Sequence, residues 1–176
     1  MKKIMAVLLV LVLSLTMLAG CTNAKPADKD GAAKDREIKF AEKDGLLTYT
    51  DLKNSPFAES GLQIIVKKGD NGYVKFVKTD LQGKATVDYY LFNYANNTAE
   101  KYYYVSAMGT AFYYYYDLAK KELIKVEDGD HNDTTQKTKD SNRWDKAAQT
   151  MDEEVKALEK YYSEQYKMTI EQAVKK

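Results

Sequence analysis

After Ile38, apolar and polar residues alternate with a period of two in short runs. The runs predict strands at 46–52, 62–67, 73–79, 85–94, 101–107, 111–118 and 123–127. Between them stand Gly69-Asp70-Asn71-Gly72, Asp80-Leu81-Gln82-Gly83, Asn96-Asn97, Met108-Gly109-Thr110 and Ala119-Lys120-Lys121, residues that tolerate the positive φ of tight turns. Every connection is short, so consecutive strands should pair antiparallel. Residues 90–97 and 114–121 also resemble each other, each an aromatic run leading into a polar turn at the same offset.

The period changes near the C-terminus. Trp144, Ala148, Met151, Val155, Leu158 and Tyr162 recur at spacings of three and four, one apolar stripe on a helix. Asn142 is placed to cap its start, and Thr169 with Gln172 has the spacing of a capping box for a short terminal helix. The polar stretch 127–142 reads as a loop. A helix with one apolar stripe must lie on something, and the sheet is the available partner. The fold expected is therefore mainly β with a C-terminal helix (α+β), an antiparallel meander of about seven strands with the helix packed on it.

Ten of the fifteen tyrosines fall between Tyr89 and Tyr116. Pairing Tyr90 with Tyr103, Tyr103 with Tyr115 and Tyr115 with Lys125 sorts these strands into two faces. Val87, Tyr89, Leu91, Tyr102, Tyr104, Phe112, Tyr114, Tyr116, Ile124 and Val126 make an uncharged face, expected to be the core. Asp88, Tyr90, Phe92, Lys101, Tyr103, Val105, Tyr113, Tyr115, Asp117, Leu123, Lys125 and Glu127 make a mixed face, expected to be wetter. A one-residue slip would exchange the two. Tyrosine joins a rigid apolar ring to a hydrogen-bonding tip. On this reading Tyr90, Phe92, Tyr103, Tyr113 and Tyr115, with Asp88 for polar orientation, form a ligand-binding platform. Cross-strand pairing that merely stabilises the sheet accounts for the same pattern.

The chain opens differently. Lys2 and Lys3 precede an unbroken apolar run from Ile4 to Leu13, which Ser14, Leu15, Thr16, Met17 and Leu18 extend as far as Ala19-Gly20-Cys21. A basic start, an apolar core and small residues before a cut are the parts of a secretory signal. The run is also short beside the roughly 20 residues of a membrane span. The stretch Leu18-Ala19-Gly20-Cys21 resembles the lipobox of bacterial lipoproteins. The resemblance implies lipidation of the Cys21 sulfur, cleavage before Cys21, and an extracytoplasmic chain held at the cell membrane by its acyl chains. Residues 1–20 are then a signal peptide, 21–37 the lipidated cysteine and a flexible tether, and 38–176 a single β-rich domain. Residues 22–36 contain no large apolar side chain to order them.

Composition narrows the chemistry. Lys+Arg is 27 and Asp+Glu is 26, which gives no bulk field for nucleic acid. One Cys and one His exclude an intrachain disulfide and a Cys/His zinc cage. The turn Asp128-Gly129-Asp130-His131-Asn132-Asp133 has acidic spacing, but Asp133 and Lys139 stand where a calcium loop needs Gly and Glu. Asp88 and Asp117 are a conceivable carboxylate pair for glycoside hydrolysis. No nucleophile elbow or phosphate-cradling glycine loop is present, and no metal or other cofactor is implied.

These features point to a membrane-anchored extracytoplasmic lipoprotein, a non-enzymatic binding or accessory module. Its partners would be the membrane through Cys21 and a cell-envelope polymer or envelope protein. An envelope-polymer-modifying enzyme is the alternative from a different class. A further one is a pheromone precursor, since residues 13–20 resemble in character the signal-peptide octapeptides that serve some bacteria as mating signals.

Overall fold

The structure, a computed structural model, describes residues 40–175. The leader, Cys21 and the tether to residue 37 lie outside the described residues. Eight strands follow in order: β1 (Ala41–Lys43), β2 (Leu46–Asp51), β3 (Gly61–Lys67), β4 (Tyr73–Thr79), β5 (Ala85–Asn93), β6 (Thr98–Val105), β7 (Thr110–Asp117) and β8 (Glu122–Asp128). They form one antiparallel sheet in sequence order. This is the expected meander, with one strand more than the alternation revealed. At three residues, β1 is too short to show a period.

Short polar side chains make the turns. Asp80 Oδ1 accepts hydrogen bonds from the backbone N–H groups of Gln82 and Lys84, at 3.0 and 2.8 Å. The two resembling segments close the same way. Asn93 Oδ1 accepts from the Ala95 N–H, and Asp117 Oδ1 from the Ala119 and Lys120 N–H groups. Four residues beyond each, Asn97 and Lys121 take φ values of 55° and 59°. Gly72 is needed for space. A Cβ there would come within 2.8 Å of the Gly69 and Lys67 carbonyl oxygens, which are backbone and cannot swing away.

Three helices follow: α1 (Thr135–Asp140), α2 (Trp144–Tyr166) and α3 (Ile170–Lys175). The stretch read as a loop therefore contains a tight turn and a helix. The turn exists because Asp128 Oδ1 accepts from the Asp130 and Asn132 N–H groups, and α1 is fastened to β8 where Thr135 Oγ1 accepts from the Val126 N–H. Arg143 takes the N-cap position of α2 in place of Asn142, which sits at φ 54° in the preceding bend. The capping box of α3 is realised: Gln172 N–H donates to Thr169 Oγ1 and Thr169 N–H to Gln172 Oε1.

The apolar stripe of α2 lies across one face of the sheet. Met151, Val155, Leu158, Tyr161 and Tyr162 are buried against Leu62, Ile64, Val74, Phe76, Phe92 and Val126. Burying side chains of this size stabilises by roughly 1.5–3 kcal/mol each. The helix is also pinned at its polar positions. Tyr116 donates to Asp152 at 2.6 Å, Tyr94 to Glu159 at 3.4 Å and Tyr161 to Asp51 at 2.8 Å. The Asp51 contact joins residues 110 positions apart, and Asp51 itself is buried. Burial opposes its charge, but the Asn54 and Lys53 N–H groups and the Tyr161 hydroxyl outweigh that and lower its pKa.

The expected faces need correction. Tyr90 pairs with Lys101, and Tyr103 with Phe112 rather than Tyr115; only the pairing of Tyr115 with Lys125 stands as proposed. A 3-10 turn at Ser106–Met108, followed by Gly109 at φ 61°, lengthens the β6–β7 connection and slips the register by three residues, an odd number. The covered face therefore carries Tyr90, Phe92 and Lys101 together with Tyr114, Tyr116 and Val126. Tyr89, Leu91, Tyr102 and Tyr104 stand on the open face, although they were expected in the core. A bulge between Tyr115 and Tyr116 then buries Leu123 and exposes Ile124, again opposite to expectation.

Candidate functional site

The open face carries a row of aromatic rings across three strands and the turn after β8. Lys75 Nζ sits 3.7 Å from the Tyr89 ring centroid, Tyr89 stacks on Tyr102 at 5.4 Å, Tyr102 meets Tyr113 at 4.9 Å, and Tyr113 stacks on His131 at 4.4 Å. Each tyrosine ring in this row is thus occupied on both sides. The polar tips are occupied too: Tyr89 donates to Glu100 at 2.8 Å and Tyr115 to Glu127 at 2.7 Å. Burial first, and then the bonded carboxylate, hold both phenols above their ordinary pKa. Lys125 and the His131 Nδ1 also contact Glu127. With Lys125 the leading cause and Tyr115 next, the Glu127 pKa falls to about 2. A platform for stacking a ligand needs bare ring faces, and these rings cover one another.

The structure does not bring the proposed platform residues together. Tyr113 and Tyr115 are half-buried in the open row. Tyr90, stacked on Phe57 at 5.3 Å, and Phe92 are 1 % and 0 % exposed on the covered face, where no ligand reaches a ring face. Asp88 accepts the Tyr104 N–H at 3.0 Å at the edge of the covered face. Tyr103 stands on the covered face and remains exposed.

Tyr103 belongs to a different site, a cleft of about 450 Å³ where α2 leaves part of the covered face open. Strands β4, β6, β7 and β8 supply Lys78, Lys101, Tyr103, Phe112, Tyr114 and Val126. The helices and the bend between them supply Thr138, Arg143, Lys146, Ala147, Thr150, Met151 and Glu154. The walls are aromatic and aliphatic, whereas the charges are four cations and one carboxylate. Glu154 pairs with Lys101 at 2.5 Å. Lys78, Arg143 and Lys146 make no ion pair among the described residues. Burial lowers the Lys78 pKa and the neighbouring Lys101 adds to this, against the pull of Glu154 and Asp88. An anion entering the cleft would relieve that crowding of positive charge.

Beneath these lysines lies Tyr90, with Lys78 and Lys101 Nζ 5.7 and 5.6 Å from its ring centroid. Its hydroxyl is the one buried side-chain oxygen among the described residues without a hydrogen-bond partner. Burial first, then the charge of Glu154 and the hydrogen-bonding pull of its carboxylate, raise its pKa above the ordinary value. The cleft thus offers apolar walls and fixed positive charge, the usual makings of a small-molecule site for an anion.

The remaining candidates do not assemble. His131 stacks on Tyr113 and contacts Glu127, and its turn spends the Asp128 oxygens on backbone N–H groups and Asn132. Among the described residues, no group of three His, Cys, Asp or Glu side chains is placed to hold a metal ion. Asp88 and Asp117 lie at opposite ends of the sheet, roughly 17 Å apart along the strands alone. No described helix is long and apolar enough to cross a membrane.

Sequence alone hid the cleft because its cations are scattered from Lys78 to Lys146 with no local motif. The comparisons with known proteins add no relative: no protein-family model, curated protein or solved structure matches this chain.

Proposed function

We propose that this chain is a membrane-anchored extracytoplasmic lipoprotein whose β-rich domain is a non-enzymatic binding module, with the cleft as its site. The lipobox-like Leu18-Ala19-Gly20-Cys21 supports the anchoring. The observation that carries the binding role is the gathering of Lys78, Lys101, Arg143 and Lys146 around apolar walls in one concavity. Such a site suits an anion with an apolar body, because the ligand's charge offsets the mutual repulsion of the cations while the walls exclude water. The cleft's single carboxylate, held by Lys101, favours binding over hydrolysis by a pair of acids. The tyrosine row then serves as the stiff back of the sheet.

Two measurements test this. Cys21→Ser should abolish the mass gain from acyl chains and release the protein from membranes; unchanged partition and mass would refute the anchoring. Titration with 8-anilinonaphthalene-1-sulfonate, an aromatic anion, should show saturable binding to the native fold. Lys78→Gln combined with Arg143→Gln should weaken it at least tenfold with thermal unfolding retained. Equal affinity in the double variant would refute the cleft as the site.

A further inference from the structure

In a meander, connections alternate between the two ends of the sheet. The β2–β3, β4–β5 and β6–β7 connections share one end, and each exposes an apolar side chain there: Leu52, Leu81 and Met108, at 42, 59 and 67 %. Val87, Tyr103 and Tyr104, the other exposed large apolar residues of this half, lie on the adjoining ends of β5 and β6. Of the seven exposed large apolar residues among those described, Ile124 alone sits towards the opposite end. The cleft belongs to the apolar end, since Lys78, Tyr103 and Phe112 occupy the ends of β4, β6 and β7 that meet it.

Ala41 pairs with Thr48 and Lys43 with Leu46, so β1 runs away from the end where β2 finishes, and its first residue lies nearer that end than its last. The sixteen residues 22–37 span at most about 53 Å, enough to let the domain touch the surface that anchors it. Apolar tips beside cations are the arrangement of proteins that lie in a bilayer interface, where burial of the tips adds to attraction for anionic lipid. The same end carries Glu59, Asp80, Asp88, Asp128, Asp130 and Asp133 against Lys53 and Lys84 outside the cleft, so any attraction for an anionic surface is confined to the cleft.

We propose that this end of the sheet rests on the membrane, Leu52, Leu81 and Met108 entering its interface, and that the cleft receives the phosphate headgroup of an anionic phospholipid. This rests on the reading of the cleft as a ligand site and names its ligand and orientation. Lys78, Arg143 and Lys146 would meet the phosphate, and Tyr103 and Phe112 the glycerol and upper acyl chain.

The test uses the chain from Cys21 onward, joined through that thiol to a maleimide lipid in phosphatidylcholine–phosphatidylglycerol vesicles, so it holds whether or not cells lipidate Cys21. Met108→Trp and Ile124→Trp are compared, each in a Trp144→Phe background. Brominated lipid should quench position 108 at least twofold more than position 124, and equal quenching would overturn the orientation. Independently, the unattached Cys21→Ser chain should sediment with phosphatidylglycerol vesicles and not with phosphatidylcholine. Lys78→Gln with Arg143→Gln should weaken that at least tenfold, and wild-type sedimentation would overturn the headgroup assignment. Competition by equimolar glycerol 3-phosphate would reassign the cleft to a free phosphate. A dimer abolished by Met108→Asp would reassign the apolar end to a second copy of this chain. Either result overturns the proposal while leaving the cleft's ligand-binding role to the dye titration.

Discussion

Single side chains fix two properties of this domain that can be measured directly. Glu127 is held at a pKa of about 2, against an ordinary 4.5, chiefly by Lys125 and Tyr115. Unfolding returns it to the ordinary value, so protons bind the unfolded chain more readily in that range. Its contribution is complete above pH about 4.5 and is lost as pH falls toward 2. Glu127→Gln should therefore lower the melting temperature at pH 7 and show a shallower further loss across that window, read by circular dichroism at a series of pH values. The second residue is Tyr161, whose hydroxyl helps satisfy the buried Asp51 carboxylate. Tyr161→Phe leaves the ring and removes that donor. A loss of about 1–3 kcal/mol is expected for a buried charged group deprived of a partner, read from urea unfolding.

The strands themselves could be read from the chain because their ends are written locally. Asp80, Asn93 and Asp117 each bind backbone N–H groups within four residues, so turn chemistry marks every boundary it touches. Which face each strand turns to the helix is not local. Lys101 looks like a solvent residue until Glu154, 53 positions later, comes to stand over it. The three-residue slip at β6–β7 then divided the expected platform between the two faces, and only Tyr103 of its members reached the cleft. The row on the open face makes its own prediction. Tyr102 touches both Tyr89 and Tyr113, and aromatic pairs contribute about 0.5–1.5 kcal/mol each beyond area burial. Tyr102→Ala should destabilise by about 1–3 kcal/mol, the two pairs together. Dye affinity at the cleft should stay within twofold, a result that separates the row's structural role from a binding one.

At the scale of the whole molecule, sheet and helix depend on each other. Leu62, Ile64, Phe76 and Phe92 are fully buried in one core with the apolar side chains of α2 and α3. A chain ending at Asn142 should lose cooperative thermal unfolding and self-associate in analytical ultracentrifugation, whereas an independently stable sheet would keep both a sharp transition and a monomer. The length of α2 has a wider consequence. Its 23 residues extend about 35 Å at 1.5 Å per residue. Eight strands with seven gaps of about 4.8 Å span nearly the same breadth. The helix therefore works as a gauge on the number of hairpins. A duplicated hairpin would leave two strands of greasy surface unroofed, and a deleted one would leave helix overhanging water, so this architecture should vary in loop length far more readily than in strand count.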